Sequence, residues 1–60
     1  MHMDDIVDNV FEALFALTDL RMLLRETAPL HEFDEEQRAQ AHNALRRAKT
    51  AVSRLEEGLG

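Results

Sequence analysis

A chain of 60 residues with a net charge of −5 and no cysteine sits near the lower size limit at which one hydrophobic core can hold a fold. No disulfide can staple it, its three histidines lack the spacing of a metal cage, and no apolar run approaches the roughly 18–20 residues of a membrane span. Self-association is the remaining remedy, and the expectation is a cytoplasmic chain with no cofactor and no membrane contact.

The residues after Met1 carry no cationic segment before an apolar one, and Asp4, Asp5 and Asp8 follow directly, which is unlike a signal peptide. The same acids suit the start of a helix, where the positive end of the helix dipole favours carboxylates. Apolar residues then recur at spacings of three and four: Ile6, Val10, Ala13, Leu17, Leu20 and Leu24. This period predicts a first helix over about residues 4–27. Pro29 disfavours helical geometry at Ala28, so residues 28–33 read as a short connection.

Asp34 followed three residues later by Gln37 has capping-box spacing, which opens a second helix over about residues 35–57. Its stripe is Ala41, Leu45, Ala48, Val52, Leu55 and Leu59, and Gly58 reads as its C-terminal stop. A short link between two such helices predicts an antiparallel hairpin, with Ile6 facing Leu55, Val10 facing Val52, Ala13 facing Ala48, Leu17 facing Leu45 and Leu20 facing Ala41.

One hairpin does not consume the apolar surface of the first helix. Val7, Phe11, Leu14, Phe15 and Met22 widen its stripe by more than a quarter turn, whereas the second helix is lined by Ala41, Ala44, Ala48 and Ala51. The expected architecture is therefore all-α: an antiparallel helical hairpin dimerising into a four-helix bundle. The expected dimer interface sets Val7, Phe11, Leu14 and Phe15 of one copy against Ala44, Ala48 and Ala51 of the other.

Charge is divided unevenly. Residues 1–33 hold seven acids against Arg21 and Arg25, and residues 34–60 hold five acids and five bases. An acidic first helix repels phosphate backbones and argues against nucleic-acid binding. A nucleophile needs a base within reach, but Ser53 and His42 lie about 16 Å apart along the second helix at 1.5 Å per residue. With only Gly58 and Gly60, no glycine-rich phosphate loop can form. An enzyme is not expected.

The stretch Leu30-His31-Glu32-Phe33-Asp34-Glu35-Glu36-Gln37, between two helices of about seven turns, resembles the turn of the Rop family. These are small plasmid-copy-number regulators that dimerise into antiparallel four-helix bundles. The resemblance implies that fold. It would also imply binding of paired RNA loops by polar and basic side chains around an exposed phenylalanine, a place Phe11 or Phe15 could take. The surrounding Asp5, Asp8, Glu12 and Asp19 have the wrong charge for RNA.

The reading that follows is a non-enzymatic homodimeric regulator, inhibitor or adaptor that occludes a surface of another protein through Asp5, Asp8, Glu12, Phe15, Asp19 and Met22. Alternatives are a Rop-type nucleic-acid regulator and an obligate partner chain such as a secretion chaperone or antitoxin.

Overall fold

The computed structural model describes residues 2–60 and contains two helices, α1 (Met3–Glu26) and α2 (Glu35–Leu59), packed along each other in a rod of 41 × 16 × 14 Å. α1 is capped by His2, whose Nδ1 accepts from the Asp4 N–H at 3.3 Å, with Asp4 and Asp5 in the first turn. At the other end the Thr27 hydroxyl donates to the Leu23 carbonyl at 2.9 Å.

The chain then reverses through a cis Ala28–Pro29 peptide and through His31, whose φ of 54° is the left-handed conformation. His31 is tied back to α1 by its N–H, 2.9 Å from the Thr27 carbonyl, and by Nδ1, 3.1 Å from the Leu24 carbonyl. Because a carbonyl only accepts, Nδ1 is the donor in that contact. The capping box forms at once: the Gln37 N–H donates to Asp34 Oδ1 at 2.7 Å and the Asp34 N–H to Gln37 Oε1 at 3.1 Å.

α2 runs past Gly58, which stays helical and half-buried. Gly60 is the residue that takes positive φ, 71°, and its N–H caps the Glu56 carbonyl at 3.1 Å. A glycine is permitted but not required to end a helix, and here two further residues remain to do so.

The seam between the helices is made of small side chains. Ala13, Ala16, Ala41, Ala44, Ala48 and Ala51 are buried, and Leu23 is the only larger side chain among the buried residues. Ile6, Leu20 and Leu55 are half-buried beside them. Alanine lets two helix backbones approach closely, because the interaxial distance follows the side chains at the contact.

The expected facing pairs are thus split. Ile6, Ala13 and Leu20 meet the seam with Ala41, Ala48 and Leu55, while Val10, Leu17, Leu24, Leu45, Val52 and Leu59 are each at least 40% exposed. Both helices are rolled so that Leu17, Leu45 and Val52 leave the seam while the alanines beside them stay in it. Ala16 and Leu23, outside the expected stripe, enter it.

Candidate interaction surface

An ion-pair bracket lies on one side of the hairpin in this arrangement. Arg47 on α2 donates from Nη1 to Asp19 Oδ2 at 2.9 Å, and its Nε lies 3.7 Å from Glu12 Oε1. Glu12 and Asp19 are seven residues apart, two turns along one edge of α1, so Arg47 sits at the level midway between them. These partners are half-exposed, so each pair contributes only about 0–1 kcal/mol.

With the polar edges of both helices on that side, the opposite side carries the large residues. In an antiparallel pair, advancing around each helix away from the bracket leads to the same face of the hairpin. Val10, Leu17 and Leu24 arrive there from α1, each seven residues apart, and Leu45, Val52 and Leu59 arrive from α2 with the same interval. Their side chains are 40% to 70% exposed. Strict seven-residue spacing on both helices is the pattern of a seam for further helices.

A second apolar strip runs along the side of α1 turned away from α2. Phe11 and Phe15 are 51% and 61% exposed, with ring centroids 6.2 Å apart and planes inclined by 22°. Met22 continues the strip at 50% exposure, and Val7 and Leu14 bridge it to the first face. Among the described residues thirteen large apolar side chains are exposed, against Leu23 buried, which reverses the balance of a self-sufficient core.

The expected interface residues divide accordingly. Val7, Phe11, Leu14 and Phe15 are exposed. Ala44, Ala48 and Ala51 are 2%, 6% and 1% exposed because α1 of the same chain covers them, so no open alanine face remains for the phenylalanines of another copy. Asp5, Asp8, Glu12, Asp19 and Met22 are all at the surface, with Glu12 and Asp19 engaged by Arg47. The face of Val10, Leu17, Leu24, Leu45 and Val52 escaped the sequence reading, which had placed these residues in the intramolecular seam. Arg47, opposite two acids spaced by seven, was the available signal.

His42 and Ser53 line one open groove outside α2 with Arg46, Lys49 and Arg54. Among the described residues no cluster of three metal-ligating side chains occurs, and no helix is long and apolar enough to cross a membrane. No protein-family model, curated protein or solved structure matches the chain.

Proposed function

We propose that this chain is a non-enzymatic, homodimeric binding module: two hairpins close into a four-helix bundle, and the bundle regulates another protein by covering part of its surface. The observation that carries the reading is the pair of exposed apolar surfaces, one on the open face of the hairpin and one on the far side of α1. A hairpin whose seam is almost all alanine buries too little apolar surface to stand alone.

The open face fits a second copy. It carries large apolar side chains, Val10, Leu17 and Leu24 from α1 and Leu45, Val52 and Leu59 from α2, over the buried alanines. A copy related by a two-fold axis brings the same apolar rows against each other, so one contact removes both faces from water. Once that face is closed, the strip on the far side of α1 remains for the target.

Sedimentation equilibrium tests the dimer, and retention of a target on immobilised protein tests the module. A dimer that loses its target with Phe15→Ser while keeping its mass supports the reading. A monomer, or a target held equally well by the variant, contradicts it. A gel shift at moderate salt should show no nucleic-acid complex.

A further inference from the structure

We infer that the strip on the far side of α1 is a docking track for a single amphipathic helix of another protein, with one basic and one acidic edge. The inference rests on the dimer reading above, which leaves this strip uncovered.

The track has the spacing of a helix seam. Phe11, Phe15, Thr18 and Met22 follow at intervals of four, three and four, the a/d alternation that receives knobs from a facing helix. From Phe11 to Met22 it extends roughly 17 Å at 1.5 Å per residue. The rings of Phe11 and Phe15 stack on each other, so they present one continuous aromatic platform rather than two separate side chains. No strand or nucleic-acid groove has that period.

Its two edges carry opposite charge. One edge holds Asp8 and Glu26 at the ends, with Glu12 and Asp19 between them drawn toward Arg47. The other edge holds Arg21 and Arg25. Among the described residues, Asp8, Glu26, Arg21 and Arg25 have no ion-pair partner. An incoming helix with bases along one edge and acids along the other satisfies both rows.

A second copy docked antiparallel on the same track does not. Antiparallel helices related by a two-fold axis bring like edges together, setting acids against acids and arginines against arginines.

The test uses two labelled peptides of about three heptads, each with leucine at a and d. One carries lysine along one edge and glutamate along the other; the second carries glutamate on both. Fluorescence anisotropy with the full chain should show the mixed-edge peptide bound at least roughly tenfold more tightly than the all-glutamate one, and Phe11→Ser with Phe15→Ser should remove that binding. Helicity and sedimenting mass should stay unchanged in the variant, since neither ring touches the alanine seam. Equal binding of the two peptides, binding of neither, or binding unaffected by the serines would overturn the track. A fall in mass of the serine variant would also overturn it, by assigning the strip to contact between copies. Failure of the underlying dimer reads separately, as a monomeric mass of the unsubstituted protein without peptide.

Discussion

The two long sides of the hairpin are built from the same heptads and differ in almost every physical respect. On one side Arg47 clamps Glu12 and Asp19 over a seam of alanines, with solvent beyond. On the other, Val10, Leu17 and Leu24 lie beside Leu45 and Val52 with nothing over them. Close helix contact and large apolar area are thus assigned to different sides. A small chain can use alanine for intramolecular fit and keep its leucines for association, which is economical only if a partner supplies the missing layer.

The largest effect should come from the open face. Leu17→Ala should lower stability by about 2–5 kcal/mol in urea denaturation if a second copy buries this side chain, since that is the cost of emptying a core leucine site. The loss should depend on protein concentration, because folding and association are linked. A side chain left in water would give only a few tenths.

Overfilling the alanine seam comes next. Ala48→Leu should cost about 1–3 kcal/mol, read as a lower urea midpoint, because the backbones must separate to admit the larger group. The contrast sharpens when both are measured together: removing bulk harms one side, and adding it harms the other.

Asp34→Ala removes the capping-box acceptor and should cost about 1 kcal/mol without changing the sedimenting mass. Arg47→Met should be the smallest, about 0–1 kcal/mol and vanishing at high salt. Helicity should stay unchanged, since the alanine seam does not include Arg47.

Much of this architecture is legible in the residues. The 3–4 spacing marks both helices, Pro29 marks their separation, and Asp34 with Gln37 marks where the second begins. The roll of each helix is not read so directly. A stripe such as Ile6-Val10-Ala13-Leu17 is apolar throughout, and hydrophobicity alone favours burying leucine before alanine. The structure does the opposite: the alanines face inward, where they permit close approach of the helix backbones, and Arg47 meets Glu12 and Asp19 along the edge. The end of α2 differs in the same way: Gly58 reads as the stop in the sequence, whereas the helix runs on to Leu59 and Gly60 takes the positive φ.

The candidate surface divides along the same line. Its apolar residues are plain from the sequence, being too many for one seam. Their separation into two surfaces depends on the roll, which buries the alanines under α1 of the same chain and leaves Phe11 and Phe15 exposed on its far side.

Sedimentation equilibrium of the unsubstituted chain and of Leu17→Glu with Leu45→Glu tests the central claim most directly. Twice the 6.9 kDa chain mass for the first, with a monomeric and largely unfolded double variant, is the predicted result. A stably helical monomer for the unsubstituted chain, or a double variant that still sediments as a dimer, would contradict it.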